Sequence, residues 1–249
     1  MRYFIELAYN GQAYHGWQIQ PGDSTVQETI EEALGKLLGD KIPVVGCGRT
    51  DTGVHASQFF LHFDTALEVD KEKLKYRLNS FLPDDIAIFR IRKVKEEAHA
   101  RFDAFSRSYE YRIHNGKNPF MIGTVLQLRT RDLDLEKMNE AAKMLLEYED
   151  FQCFSRSKSD VKTYLCKIEE AGWKQEGELL VFQITANRFL RNMVRAIVGT
   201  LMEIGRGKTE VADFRRILES RDRKEAGPSA KAEGLYLTRV RYPEQIFID

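Results

Sequence analysis

The sequence predicts an α+β protein built of two halves. Three observations predict it. Strand-like segments with alternating apolar residues and amphipathic helical segments are interleaved along all 249 residues. After a break near residues 98–107 the pattern starts again in similar proportions. The length suits either one large domain or two of ordinary size, and the 43% hydrophobic content is enough to give each half a core. The expected division is an N-terminal α+β domain, 1–104, and a C-terminal one, 105–249.

"RYFIELAY" is rich in β-formers and alternates, so it is the first strand. "STVQETIEEALGKLLGD" follows as a helix. Ser24 with Gln27, or Thr25 with Glu28, offers a capping box. Val26, Ile30, Ala33, Leu34, Leu37 and Leu38 form its apolar face, and Gly39 closes it. "IPVVGC" and "SQFFLHF" are strands on either side of a glycine-containing loop. "KEKLKYRLNSFL" is a second helix with Leu74, Leu78, Phe81 and Leu82 on one side, stopped by Pro83. "DIAIFRIRKV" is the strand that completes the first half.

In the second half "SRSYEYRIHN" is a strand. Tyr109, Tyr111 and Ile113 share one face, with Ser108, Glu110 and Arg112 on the other. "LEKMNEAAKMLLE" is a helix with Leu135, Met138, Ala141, Ala142, Leu145 and Leu146 inward. "TYLCKIEEAGW" and "LLVFQITA" flank the polar turn "KQEGE" as a hairpin. "NRFLRNMVRAIVGTLMEIG" is a long helix, "EVADFRRILES" a shorter one, and "GLYLTRVRY" the last strand.

Charge is mixed, with 38 basic and 38 acidic side chains, a balance that argues mildly against a polyanion partner unless cations cluster locally. The three cysteines, Cys47, Cys153 and Cys166, are scattered without CxxC spacing. They read as small buried side chains in a reducing, cytoplasmic setting rather than as a disulfide framework or zinc site. The N-terminus turns polar too early for a signal peptide, and no apolar run approaches the roughly 20 residues of a membrane helix.

The chemistry concentrates in "VVGCGRTDTGVHASQFFLHF". Arg49 and Asp51 stand two residues apart in a loop between strands. Gly48 and Gly53 would let another backbone or a ligand approach closely. Asp51 is either an Asx-turn residue or a carboxylate placed for nucleophilic or base work, held by Arg49 and a neighbouring threonine. "GCGRTD" lacks the third glycine of a dinucleotide fingerprint, and the loop itself does not end in GK[ST]. His55 and His62 are seven apart on a strand and so face opposite ways, which does not make a metal site.

Farther along, Arg188, Arg191 and Arg195 fall at i, i+3 and i+7, within roughly 60° of one another on an ideal helix. The stripe is either a solvated face or a strip for phosphates, with Arg195 buried enough to need an anion; Asp51 is a natural candidate for that anion. Tyr109 and Tyr111, flanked by Arg101, Arg107 and Arg112, are either core aromatics or a stacking surface for bases.

These residues together resemble a known family. "GRTDTGVHA" is similar to the catalytic motif of the tRNA pseudouridine synthase A family. "YNGQAYHGWQIQP", "TVQETIEEAL", "LNSFLPDDIAI", "HARFDAFSRSYEYRI", "NRFLRNMVRAIVGTLMEIGRGK" and "SAKAEGLYLTRVRYP" resemble its other blocks, in order. Thr52 stands where alanine is common, and "RSKSDVKTYLC" and "PEQIFID" fit loosely; the former is expected to border the RNA.

The resemblance implies two RRM-like halves, each an antiparallel sheet with helices on one face, and an active-site cleft between them. It implies conversion of uridine to pseudouridine at positions 38, 39 and 40 of the tRNA anticodon stem-loop, by a homodimer without cofactor or metal. Asp51 takes the place of the catalytic aspartate, Arg195 of its arginine partner and Tyr109 of the base-stacking tyrosine. Arg49 takes that of the arginine which displaces the target nucleotide. Arg188, Arg191 and His55 are the further candidates for substrate binding. The carboxylate could add to C1′ of the sugar or to C6 of the base, or assist elimination toward a glycal. A non-catalytic RNA-binding protein is the alternative, and a glycoside or nucleoside hydrolase would need a second marked carboxylate.

Overall fold

The computed structural model describes residues 1–129, 133–156 and 161–248. Part of the loosely matching segment, 157–160, therefore lies outside the described residues, as does Asp249 of the tail. The chain forms two compact units, Met1–Ser106 with Tyr236–Asp249, and Arg107–Leu235.

The first unit contains β1 (Arg2–Tyr9), α1 (Val26–Leu38), β2 (Val44–Gly46), β3 (His55–Asp64), α2 (Lys71–Phe81) and β4 (Ile86–Val94). β1 lies between β4 and β3 and is antiparallel to both. The other edge of β3 carries β2 antiparallel at Leu61–Phe63 and the last strand of the chain, β9 (Leu235–Arg241), parallel at His55 and Ala56. A division at residue 104 would leave the tail in the second half; the contacts put residues 236–249 in the first. The cause is pairing between residues far apart in sequence. Gln58 Oε1 accepts from Val240 N, the guanidinium of Arg92 lies 3.8 Å from the centre of the Phe247 ring, and Phe4 meets Tyr242 edge-on at 5.3 Å.

α1 starts and stops where its signals lie. Thr25 Oγ1 accepts from Glu28 N, and Gly39 takes the left-handed conformation, φ 78°, that closes the helix. Val26, Ile30, Ala33 and Leu34 are buried, while Leu37 and Leu38 are only partly so. α2 buries Leu74 and Leu78, but Phe81 stays about half exposed beneath the Lys36 ammonium rather than joining the core.

The second unit contains β5 (Ser106–Asn115), β6 (Leu126–Leu128), α3 (Leu135–Met144), β7 (Ile168–Glu176), β8 (Leu179–Ala186), α4 (Met193–Gly205) and α5 (Val211–Ser220). β8 lies between β5 and β7, antiparallel to both, and β6 is parallel to β5. With β3 and β9, this makes parallel pairs in both units, so the strand pairing in neither unit is purely antiparallel as expected. The hairpin turn is also tighter than expected. Lys174, Gln175 and Glu176 are strand residues, and only Gly177, at φ 57°, and Glu178 make the turn. Leu146 is exposed, because α3 gives way to a 3₁₀ turn at Leu145 and the helical period is lost.

The long basic helix is the largest correction. It begins at Met193, five residues past Arg188, and Asn192 precedes it with φ 65°. A left-handed residue cannot continue a right-handed helix, so Arg188 and Arg191 lie in the connection before it. The predicted three-arginine stripe therefore does not exist; only Arg195 is helical. The helix is also buried more completely than its sequence implied. Every residue from Met193 to Gly205 is buried except Arg195 and Glu203.

Candidate active site

The loop from Cys47 to Val54 is held from inside by the segment that follows β1. Thr50 is buried, and its hydroxyl lies 2.8 Å from that of Tyr9. Trp17 N donates to Thr50 O at 3.3 Å, and Gly53 N donates to Tyr14 O at 3.3 Å. Gly16 makes this approach possible. Its φ is 89°, and a Cβ there would stand 2.3 Å from Thr50 O. Gly11 is equally tight against Val54, whose carbonyl oxygen would lie 2.0 Å from a Cβ. The Trp17 indole fills the space over Gly46 and stacks on Phe59 at 4.2 Å.

This bracing explains the spacing of Arg49 and Asp51. Thr50 is turned inward and fixed, and its two neighbours are left toward solvent, Arg49 exposed and Asp51 half-buried. A short loop with one anchored side chain thus carries a guanidinium and a carboxylate on either side of the anchor. Close approach of protein backbone is seen at Gly11 and Gly16. A Cβ on Gly48 would meet nothing within 4 Å, while Gly53 is needed for its φ of 75°. The glycines and aromatics of "YNGQAYHGW" were the available signal for this brace. Periodicity is blind to them, because they make no regular element.

His55 opens β3 and is almost wholly buried. Its Nδ1 accepts from Gly11 N at 3.1 Å, and its ring stacks on Tyr236 at 4.5 Å. It therefore ties the brace to the strand behind the loop. Burial, with the hydrogen bond from the Tyr14 hydroxyl to Asp85, pushes the Tyr14 phenol well above its usual range and keeps it a donor.

In the second unit the two tyrosines part company. Tyr111 is fully buried and donates to Lys231 O at 2.9 Å; burial raises its phenol well above the ordinary value. Tyr109 is only half-buried and meets Phe189 edge-on at 5.1 Å. Tyr111 is thus a core aromatic, and Tyr109 keeps some of its ring toward solvent. Arg112 pairs with Glu110 at 2.8 Å, and Arg107 donates to Asn187 O. Arg191 is exposed and Arg188 half-buried.

Arg195 stands in the first turn of α4, and its Nε donates to Ala230 O at 2.7 Å. All three cysteines are buried free thiols; burial pushes Cys153 up to about 12 and Cys166 up to about 11, which makes both inert. Among the described residues no cluster of His, Cys, Asp or Glu could hold a metal ion, and no helix is long and apolar enough to cross a membrane.

This geometry frames what the comparisons find. A family model described as tRNA pseudouridine synthase matches residues 7–103 and 141–243, which include the braced loop and Arg195. The chain belongs to this family, and it is an enzyme of the isomerase class. It is 52% identical to the tRNA pseudouridine synthase A of Parabacteroides distasonis, over 99% of this chain and 98% of that protein. It is 52% identical to that of Porphyromonas gingivalis, over 99% of each. The Bacillus subtilis tRNA pseudouridine synthase A is 40% identical over 97% of this chain and 99% of its own. A solved chain of the CRISPR endoribonuclease Cse3 bound to 19 nt RNA aligns at 13% identity with a TM-score of 0.23, over 84% of this chain and 94% of that one. That agreement is too low to bear on the fold.

Proposed function

We propose that the chain isomerises uridine to pseudouridine at positions 38, 39 and 40 of the tRNA anticodon stem-loop, with Asp51 as the catalytic carboxylate. The observation that carries this reading is the loop itself. A backbone brace fixes Thr50, and Asp51 beside it is left half-buried rather than absorbed into the core. The reaction breaks the bond from C1′ to N1, turns the uracil and forms a bond from C1′ to C5, releasing the C5 proton. An ionised oxygen near an everted base serves each of the three routes open to it.

In this reading Arg195 takes the role of the family's arginine partner to the catalytic aspartate, and Tyr109 stacks on the target uracil. Stacking of about 1–3 kcal/mol per base offsets part of the cost of flipping. Arg49 displaces the target nucleotide, and Arg188 and Arg191 contact the RNA from the connection before α4. His55, buried as it is, serves the substrate through the loop it braces. The reading extends to RRM-like units and a cytoplasmic homodimer that needs no cofactor.

Tritium release from tRNA carrying 5-tritiated uridine tests it. Asp51→Ala should abolish release while tRNA binding persists, and tRNA affinity should fall steeply with salt. Unchanged release in Asp51→Ala would remove Asp51 from the chemistry.

A further inference from the structure

Arg195 is held by a loop, and the loop has fasteners of its own. Residues 195 and 230 exchange two hydrogen bonds: Arg195 Nε to Ala230 O at 2.7 Å, and Ala230 N to Arg195 O at 2.9 Å. Fixing Nε sets the plane of the guanidinium, because its donors form a rigid fork. Where the guanidinium points therefore depends on where Ala230 lies.

The segment before Ala230 is pressed onto α4. A Cβ on Gly199 would stand 1.7 Å from Pro228 O, and Gly227 N donates to Thr200 Oγ1 at 2.9 Å. These contacts fix how closely the loop lies. The register at its far end is set by Ser229. Its hydroxyl oxygen accepts from Asn192 Nδ2 at 2.7 Å and from Arg223 at 3.0 Å. Arg223 also donates to Ala226 O and Gly227 O.

Asn192 is unusual in this role. It is the residue before α4, where an asparagine side chain ordinarily accepts from the helix's own first amides. Here it makes no capping bond; it sits at φ 65° and donates to Ser229 instead. The chain thus forgoes a helix cap and accepts a left-handed residue, and the side chain is spent on the residue next to Ala230.

We propose that Asn192 and Arg223, acting through the Ser229 hydroxyl, are positioning residues that aim Arg195. This deepens the proposed function and rests on Arg195 serving the reaction. Substitutions at Ser229 are the gentle test, since the side chain is small and half-buried. Single-turnover tritium release and tRNA affinity are measured for Ser229→Ala, Ser229→Thr, Arg195→Lys and Arg195→Met, and for Ser229→Ala combined with Arg195→Lys.

Loss of a hydrogen bond to a charged partner should slow Ser229→Ala by about tenfold, with tRNA affinity within about twofold of the parent. Ser229→Thr, which keeps the hydroxyl, should recover most of the rate. In the Arg195→Lys background, Ser229→Ala should add less than about twofold, since groups acting through one another are not additive. Parent-like turnover in Ser229→Ala beside an impaired Arg195→Lys would overturn the proposal and leave Arg195 in its role. Equal losses from Ser229→Ala in both backgrounds would overturn it too, by showing that Ser229 does not act through Arg195. Near-parent turnover in both Arg195→Lys and Arg195→Met would overturn the role of Arg195, and the proposal with it.

Discussion

Gly16→Ala should disable the enzyme from a residue that carries no side chain and takes no part in the chemistry. Two costs combine. An alanine at φ 89° bears the left-handed penalty of about 1–2 kcal/mol. Its Cβ would also stand 2.3 Å from Thr50 O, and real Cβ contacts essentially never fall under 3.0 Å. The Thr50 carbonyl or residue 16 must therefore move by about 0.7 Å, the difference of those distances. That movement strains the bond from Trp17 N to Thr50 O, worth about 1 kcal/mol. The total is about 2–3 kcal/mol, or a fall in Tm of roughly 4–12 °C for a chain of this size.

The larger effect is on rate. Asp51 follows Thr50 directly, and a misplacement of about 1 Å can cost about 10²-fold in turnover. A shift somewhat smaller than that should slow tritium release between about tenfold and a hundredfold at 25 °C, where the variant is still folded. Gly22→Ala separates the two costs. Gly22 has φ 83°, but a Cβ there meets nothing within 4 Å. It should lose about 1–2 kcal/mol of stability and none of the turnover. If Gly16→Ala turns over as fast as Gly22→Ala, the brace does not set the position of Asp51 and the reasoning fails.

Other perturbations follow from the same structure. Tyr9→Phe removes the partner of the buried Thr50 hydroxyl and should cost about 1–2 kcal/mol in urea unfolding, with a smaller loss of turnover than Gly16→Ala; an unchanged midpoint would show that the pair contributes nothing. Gly199→Ala drives a Cβ to within 1.7 Å of Pro228 O and should cost about 3 kcal/mol or more, visible as a lowered thermal midpoint. His62 gives a pH dependence. Burial, then the Arg2 and His99 charges, lower its imidazole to about 4, and its Nδ1 accepts from Ala100 N. The unfolded chain, with an ordinary value of about 6.5, takes up the proton first, so stability is complete above that pH and falls as pH drops toward 4. His62→Asn, which keeps an acceptor but does not titrate, should flatten part of that fall; an unchanged slope of unfolding midpoint against pH would assign it to other groups.

The sequence made some parts of this molecule readable and hid others, and the divide is physical. α1 was legible end to end because each of its signals is local: a threonine cap, a 3.6-residue apolar stripe and a closing glycine. β1 and β5 were legible because β-branched and aromatic residues alternate. The Arg188, Arg191 and Arg195 stripe misled because periodicity is counted on the assumption of a continuous helix. One left-handed residue, Asn192, cancels that assumption without changing the count. Asparagine tolerates such a conformation better than most residues, and that was the only warning. The place of β9 beside β3 was hidden for a different reason. A parallel pairing between residues nearly two hundred positions apart leaves no trace in either local pattern.

The same divide explains why the candidate site was half visible. Asp51 could be singled out because a carboxylate between glycines is a chemical signal that needs no fold to be noticed. What makes that carboxylate useful could not be. Thr50 anchored on Tyr9, Gly16 seated against Thr50, and His55 tied to Gly11 are all relations between a loop and a segment some forty residues earlier. Each of those residues has an innocuous local reading, as a strand tyrosine, a turn glycine or a strand histidine. Sequence chemistry therefore nominates the group that reacts, whereas the backbone that aims it becomes legible only once distant segments are brought into contact. A brace made of backbone has a further consequence. Truncating the side chains of Tyr14, His15 or Trp17 leaves its backbone hydrogen bonds in place, so such variants should understate its role, and added bulk at Gly11 or Gly16 should reveal it.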